Sequence, residues 1–143
     1  MNNLISIIVG SESDLEYARS CSGVLKDFSV EHSIKVLSAH RTPSLLGEHI
    51  RHSEEEGVQV FIAMAGLAAH LAGSVASKTT RPVIGVPVDG GPLKGFDALL
   101  STVQMPKGIP VGTVAIGSSG AVNAAYLGLQ ILGLSSEDIA NQL

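Results

Sequence analysis

The stretch "VQVFIAMA", residues 58–65, decides how this chain is expected to fold. Gln59 is its only polar residue, and the rest are apolar at successive positions. A strand with one face in solvent would instead alternate polar and apolar residues. A continuous apolar run is typical of a strand buried on both faces of a parallel sheet.

Similar short runs rich in β-branched residues occur along the whole chain. Those at 4–9, 82–88 and 110–117 are nearly continuous in apolar character, and the run at 32–37 is less so. Helical patterns follow each run, and we expect them at about 13–28, 43–56, 68–79, 95–104 and 120–133. This alternation predicts an α/β three-layer sandwich in which helices cover both faces of a five-stranded parallel sheet.

The composition favours one domain that associates with copies of itself. A length of 143 residues with no linker or low-complexity segment predicts a single domain over residues 1–143. A mean hydropathy of +0.34 with 15% charged residues is apolar for a small monomer. We therefore expect a homo-oligomer, with the helix at 120–133 at or near a subunit contact.

Charge and cysteine content exclude several classes of function. A net charge of −4 and the lack of any Lys/Arg cluster predict no nucleic-acid partner. The single cysteine, Cys21, cannot form an intramolecular disulfide or a cysteine-based zinc site, and we expect it to be buried in a helix. No His/Asp/Glu group has metal-ligand spacing, so no metal is predicted.

Neither the amino-terminal segment nor the uncharged stretch between Lys107 and Glu137 predicts a membrane partner. The first residues, "MNNLISIIVGSESD", have no basic region ahead of their short apolar run. The uncharged stretch is broken by Gly-Ser-Ser-Gly into two halves that are each too short to span a bilayer. We expect a buried strand, a turn and a buried helix there, and a cytoplasmic protein.

Ligands of such sheets bind beyond the carboxyl ends of the strands, near the point where strand order reverses. The informative residues are therefore those that follow each predicted strand, in four segments that we call corners. Small residues in such corners let a ligand approach the backbone. The four corners are "GSESD" (10–14), "SAHRTP" (38–43), "AGLAAHLAG" (65–73) and "DGGPLKGFD" (89–97).

The first corner combines a helix start with exposed hydroxyls. Ser13 or Asp14 is a plausible N-cap of the first helix. Gly10 and Ser11 leave the turn open and lined by hydroxyls, which favours a phosphate or ribose site. The segment is neither a Walker A loop nor a GxGxxG motif, so capping alone remains the alternative interpretation.

The second corner places two potentially cationic side chains where a helix begins. Pro43 suits the first helical position, and Thr42 is predicted to cap it. Arg41 opposes the helix macrodipole unless an anion lies there, and its planar fork matches a phosphate. His40 would face the same crevice and titrates near neutral pH. The alternative is a solvated corner whose histidine only packs.

In the third corner, His70 is expected in the first turn of a helix rich in small residues. A locally hydrogen-bonded histidine on the helix face is the simpler interpretation. The small apolar lining could also hold a small uncharged molecule and exclude water. Three other histidines, His32, His49 and His52, are predicted to be structural or solvated.

Together, the corners and the later segments "PVIGVPV", "GFDALLSTVQMPKGIPVGTVAIG" and "GAVNAA" resemble one family over roughly residues 4–132. That family is the class I N5-carboxyaminoimidazole ribonucleotide mutases of de novo purine biosynthesis. The resemblance implies a flavodoxin-like fold, a ribonucleotide substrate and an octamer. It also implies transfer of a carboxylate from nitrogen N5 to carbon C4 of an imidazole, with no metal or other cofactor.

The resemblance also implies a role for each corner. His40 matches the catalytic histidine, which would deliver a proton to N5 and remove one from C4 while CO2 stays trapped. The residues expected to hold the phosphate and ribose are Ser11, Ser13, Asp14, Ser38 and Arg41. Those expected around the migrating carboxylate are Gly66, Leu67, Ala68, Ala69, His70 and Leu71.

The chain departs from the family pattern at two positions of the third corner. Leu67 replaces a glycine, which puts a side chain where backbone and substrate would lie close. Ala72 replaces a proline at the start of the helix. The final segment "SSEDIANQL" is expected to form the first turns of a helix that in this family reaches a neighbouring subunit.

Two rival functions remain open. Class II enzymes carboxylate aminoimidazole ribonucleotide directly with CO2 but lack the "AAHL" pattern, so His70 argues against them. A non-catalytic nucleotide-binding module would be expected to have lost His40 or Arg41, and both are present.

Overall fold

Five parallel strands form the centre of the structure, a computed structural model that describes residues 2–143. The strands are β1 (Ile5–Val9), β2 (His32–Val36), β3 (Val60–Ala65), β4 (Val83–Pro87) and β5 (Gly112–Thr113). The helices are α1 (Leu15–Asp27), α2 (Pro43–Glu56), α3 (Leu71–Ala76), α4 (Phe96–Val103), α5 (Ser118–Gly133) and α6 (Glu137–Gln142). A short 3-10 turn at Glu12–Asp14 precedes α1.

The strands lie in the order β2-β1-β3-β4-β5, and every neighbouring pair is parallel. From β1 the chain passes to β2 at one side and then returns to β3 on the other side of β1. Strand order therefore reverses around β1, and the carboxyl ends of β1 and β3 form the switch point at which ligands of open α/β sheets bind. The predicted α/β fold with a five-stranded parallel sheet is confirmed.

Both faces of the sheet are covered by helices. In β1, Ile7 belongs to a core cluster shared with α1 and α5, whereas Ile8 belongs to a second cluster shared with α2 and α3. This alternation is the two-residue period of a strand. Cys21 is buried in the first cluster as predicted, and burial raises the pKa of its thiol to about 12. The thiol therefore stays protonated and serves packing.

The edge strand β2 explains why the run at 32–37 is less apolar than the others. Its residues are partly to largely exposed, whereas every residue of β1 and β4 is buried. A strand with one free edge and a partly open face tolerates the polar side chains of His32, Ser33 and Lys35.

Two predicted elements are shorter than expected. The strand predicted at 110–117 keeps regular pairing only in β5, because Pro110 has no N–H to donate and later contacts to β4 are isolated bonds such as Val114 N to Gly85 O. The helix predicted from residue 68 begins at Leu71, because residues 68–70 form a tight turn in which His70 N donates to Ala68 O at 2.9 Å.

Between β5 and α5, the predicted tight turn depends on a glycine. Gly120 lies in the first turn of α5, and a Cβ added there would collide with the carbonyl oxygen of Ala115. The helix starts two residues before the predicted position 120, after Gly117 with a φ of 82°. Within residues 2–143, none of the helices has the length and apolar character required to cross a bilayer.

Candidate active site

The four corners meet in one cleft at the carboxyl ends of β1 to β4. It has a volume of about 560 Å³ and is lined by residues from each corner. A larger hollow of about 930 Å³ lies elsewhere, but it contains no histidine. The cleft at the strand ends is therefore the place where titratable rings, hydroxyls and a cation come together.

The first corner contributes hydroxyls and one buried carboxyl. Ser11 Oγ and Ser13 Oγ lie 2.6 Å apart, and Asp14 is only 8% exposed. Burial raises the pKa of the Asp14 carboxyl above 3.8, while hydrogen bonds from Ser11 act in the opposite direction. Asp14 is the N-cap residue of α1, one of the two predicted alternatives, but its side chain makes no capping hydrogen bond. All three side chains stay on the cleft side.

The second corner is a turn closed by its own side chains. Ser38 Oγ accepts a hydrogen bond from Arg41 N at 3.0 Å, and Thr42 Oγ1 accepts one from Ser38 N at 3.0 Å. Thr42 is the N-cap residue of α2 as predicted, but its Oγ1 donates to the Ser38 carbonyl and makes no capping hydrogen bond to the helix. Pro43 does occupy the first turn of α2.

Arg41 stands at the mouth of the cleft with its charge unpaired. The guanidinium is exposed, and it forms no ion pair within residues 2–143. It precedes the amino terminus of α2 by two residues, where the helix dipole favours an anion. The corner can therefore attract a phosphate through both the side chain and the helix terminus.

The second and third corners touch through two histidines. His40 Nε2 and His70 Nδ1 lie 2.7 Å apart, and the two rings meet edge to face with centroids 4.8 Å apart. His70 is the N-cap residue of α3 rather than a residue within its first turn. The simpler interpretation of His70 as locally hydrogen-bonded is wrong, because its partner is 30 residues away.

This contact couples the protonation of the two rings. A hydrogen bond between ring nitrogens requires one to donate and the other to accept. While the bond is kept, the pair can hold one extra proton but not two. The other nitrogen of His40, Nδ1, takes no part in this contact.

Eleven of the twelve site residues predicted from the sequence line this cleft. Ala69 is the exception, since it is 2% exposed and does not line the cleft. The eleven are Ser11, Ser13, Asp14, Ser38, His40, Arg41, Gly66, Leu67, Ala68, His70 and Leu71.

Sequence reasoning did not single out the contribution of the fourth corner. Gly90 and Gly91 line the cleft, and Val88 forms part of its apolar floor. Next to them, Tyr17 of α1 donates a hydrogen bond of 2.7 Å to Asp89 Oδ1, which raises the pKa of Tyr17 to about 12. The available signal was the Gly-Gly pair at 90–91, which follows soon after β4 ends at Pro87.

The other three histidines have partners of their own. His49 Nε2 contacts Ser6 Oγ at 2.8 Å in the interior, and His32 Nε2 contacts Ser22 Oγ at 2.6 Å. His52 lies near Glu55 and Glu56 on the exposed side of α2. Within residues 2–143, no group of three or more His, Cys, Asp or Glu could hold a metal ion.

Comparisons with known proteins agree with this geometry. The model of the AIR carboxylase family matches residues 4–143. The N5-carboxyaminoimidazole ribonucleotide mutase of Methanocaldococcus jannaschii is 56% identical over 98% of this chain and 85% of that protein. The mutase of the same name from Bacillus subtilis is 50% identical over the whole chain and 88% of that protein.

Solved structures with lower sequence identity have the same fold. The crystal structure of Treponema denticola PurE has a TM-score of 0.88 at 29% identity, covering 97% of this chain and 85% of that one. A family model that spans nearly the whole chain, with relatives at half identity or more, is sufficient to assign the family. The chain belongs to the AIR carboxylase family.

Proposed function

We propose that this protein is an N5-carboxyaminoimidazole ribonucleotide mutase of de novo purine biosynthesis. It converts N5-carboxyaminoimidazole ribonucleotide to 4-carboxy-5-aminoimidazole ribonucleotide. The observation that carries the proposal is the contact of His40 with His70 in a cleft beside the unpaired Arg41. The mutases that match over 98% to 100% of this chain support the same reaction.

The ribonucleotide binds through the first two corners. Arg41 and the amino terminus of α2 take the phosphate, since both favour an anion. Ser11, Ser13 and Ser38 supply hydroxyls, and Asp14 accepts hydrogen bonds from ribose hydroxyls. This placement directs the imidazole toward His40, which is adjacent to Arg41 in the chain.

Release of CO2 is the first chemical step. Protonated His40 gives its proton to N5, the N5–carboxyl bond breaks, and its electron pair stays on nitrogen. The products within the cleft are aminoimidazole ribonucleotide, CO2 and neutral His40. The proton passes directly from the histidine to N5, as in general acid catalysis.

Recapture is the second step. The electron pair of the enamine-like C4 attacks the carbon of CO2, and a C4–carboxyl bond forms. His40 then removes the proton from C4 and returns to its starting state. The two steps together are an isomerisation that consumes no oxidant, reductant or nucleoside triphosphate. His70 keeps His40 in the orientation and tautomer that both transfers require.

Between the two steps, CO2 needs a dry and unreactive environment. The third corner supplies it, with Gly66, Ala68 and Leu71 facing the cleft and Val88 below. Apolar walls favour an uncharged molecule over water.

The assembly and location belong to the same proposal. We expect a cytoplasmic homo-oligomer, an octamer by family resemblance, built from one catalytic domain over residues 1–143. Several apolar side chains support association, because they are exposed on and before α4 in a single chain. They are Leu93, Phe96, Leu100 and Val103.

Direct carboxylation of aminoimidazole ribonucleotide by CO2 is the rival reaction, and one assay separates the two. Purified protein is given each ribonucleotide, with and without bicarbonate. The mutase converts N5-carboxyaminoimidazole ribonucleotide without added bicarbonate. Product formed only from aminoimidazole ribonucleotide with bicarbonate would instead establish the carboxylase, and no product in any arm would leave a nucleotide-binding module.

A further inference from the structure

Leu67 combines three features that ordinary surface leucines do not share. Its φ of 57° lies in the left-handed region, where a Cβ crowds the following carbonyl oxygen. Its side chain lines the cleft. It is also 55% exposed, although it stands among the small residues of an apolar corner. Strained backbone of this kind persists where the surrounding structure enforces it, which is often at functional sites.

The side chain of Leu67 extends from the third corner to the fourth. A Cβ added to Gly91 would lie 2.5 Å from Leu67 Cδ2, so the leucine occupies the space in which a side chain at position 91 would stand. Gly91 itself has a left-handed φ of 74°. The two positions thus fit each other, and the leucine connects the loop after β3 with the loop after β4.

We propose that Leu67 closes the side of the cleft between the third and fourth corners, and that this closure retains CO2 between its release from N5 and its capture by C4. This inference rests on the proposed mutase reaction and assigns Leu67 a further role in it. Two outcomes compete for the CO2 in the cleft. In one, the C4 electron pair attacks its carbon, and in the other CO2 diffuses away and leaves aminoimidazole ribonucleotide. An apolar side chain across the opening slows the second outcome without taking part in proton transfer.

The first test measures this partition in the full-length enzyme. Leu67→Ala and Leu67→Gly are given N5-carboxyaminoimidazole ribonucleotide in buffer that contains ¹³C-bicarbonate. Carboxylated product, free aminoimidazole ribonucleotide and label in the product are measured after subtracting the loss that occurs without enzyme. We expect free aminoimidazole ribonucleotide per turnover, and label in the product, to rise about three- to tenfold in both variants.

Leu45→Ala is the matched control. Leu45 is 54% exposed on α2, nearly the same as Leu67, but it does not line the cleft. In Leu45→Ala, the ratio of free aminoimidazole ribonucleotide to carboxylated product should equal that of the unchanged enzyme. A partition that stays constant in both Leu67 variants, while they still form product, would overturn the inference and leave the mutase assignment intact. If the unchanged enzyme forms no product, both the inference and the mutase assignment are wrong.

A second test examines the bridge without substrate. Gly91→Ala is made in the unchanged protein and in Leu67→Gly, and the Tm of all four proteins is measured. The substitution should lower Tm by ~2–6 °C more when Leu67 is present, because only then does the new Cβ collide with it. Equal losses in the two backgrounds would show that the bridge does not exist and would overturn the inference.

Discussion

Two histidine contacts in this molecule have nearly the same length and differ in almost everything else. His40 and His70 meet at 2.7 Å in the cleft, and both side chains are exposed. His49 Nε2 lies 2.8 Å from Ser6 Oγ where α2 packs on β1, and Ser6 is fully buried. The first contact joins two titratable rings that face a space for ligand, whereas the second satisfies a buried hydroxyl.

The difference shows that burial and the partner, rather than a short hydrogen bond, distinguish a reactive histidine from a structural one. Burial lowers the pKa of His49 below 6.5, assisted by the positive charge of Lys35 and by His52 and opposed by Glu56. A neutral ring is the form that fits an interior site. At the cleft, both rings are exposed to solvent.

The largest effect is expected at His40. His40→Asn keeps hydrogen-bonding capacity but removes the proton carrier, so turnover should fall by ~10²–10⁴-fold. Calorimetry should show that the ribonucleotide still binds. His52→Asn is the matched control on exposed α2 and should leave turnover unchanged. Retention of more than a tenth of the turnover would mean that another group carries the proton, with His70 the first to examine.

Arg41 should give the next largest effect, on binding. Arg41→Ala removes a charge-assisted contact to the phosphate and should raise KM by about 10- to 100-fold. Arg51→Ala removes an arginine that is paired with Glu55 on the outside of the same helix, and KM should not change. Equal KM values for the two variants would make Arg41 a solvated corner residue.

A smaller effect is expected at His70, which acts through His40. His70→Phe keeps the edge-to-face ring contact but removes Nδ1, and kcat should fall by about five- to tenfold with a shifted pH profile. His70→Asn returns a polar group near the position of Nδ1 and should recover part of the rate. An unshifted profile with full rate in His70→Phe would show that the ring pair has no role in setting the proton on His40.

The smallest effect on turnover is expected at His49, where the consequence is for stability. Because its folded pKa is lowered, the unfolded chain binds more protons between that value and 6.5. The contribution of the neutral His49 ring to the free energy of unfolding is therefore complete above pH 6.5, and it is lost as the pH falls through the folded pKa. His49→Gln should flatten the fall in the free energy of unfolding below pH 6.5, measured by urea titration, and leave kcat unchanged. An unaltered slope would contradict this assignment.

The corners were predictable because each one is a local pattern. "SAHRTP" follows an apolar run, and Pro43 marks the start of α2, so the strand end and the helix start could be predicted from neighbouring residues. The N-cap positions of Asp14 and Thr42 were predictable from the same patterns, but the hydrogen bonds of their side chains were not. Their oxygens had several possible partners, and Thr42 bonds Ser38 instead of the first turn of the helix.

The ends of two elements also depended on contacts beyond the local pattern. The run at 110–117 is apolar enough for a full strand, yet regular pairing depends on what β4 offers and is limited to Gly112–Thr113. The helix after the third corner was predicted to start at 68, but the bond from His70 N to Ala68 O holds residues 68–70 in a turn and the helix begins at Leu71.

By itself, the sequence determined the alternation of strands and helices, the parallel sheet, the family and eleven residues of the cleft. These follow from periodicity and from short motifs whose physical causes lie within a few residues. Only the tertiary structure decided that His70 bonds His40, that Tyr17 bonds Asp89 and that Leu67 fills the space above Gly91. Each of these contacts joins residues more than twenty positions apart. They exist because the strand order brings separate corners to one edge of the sheet, and no local pattern encodes which side chains then meet.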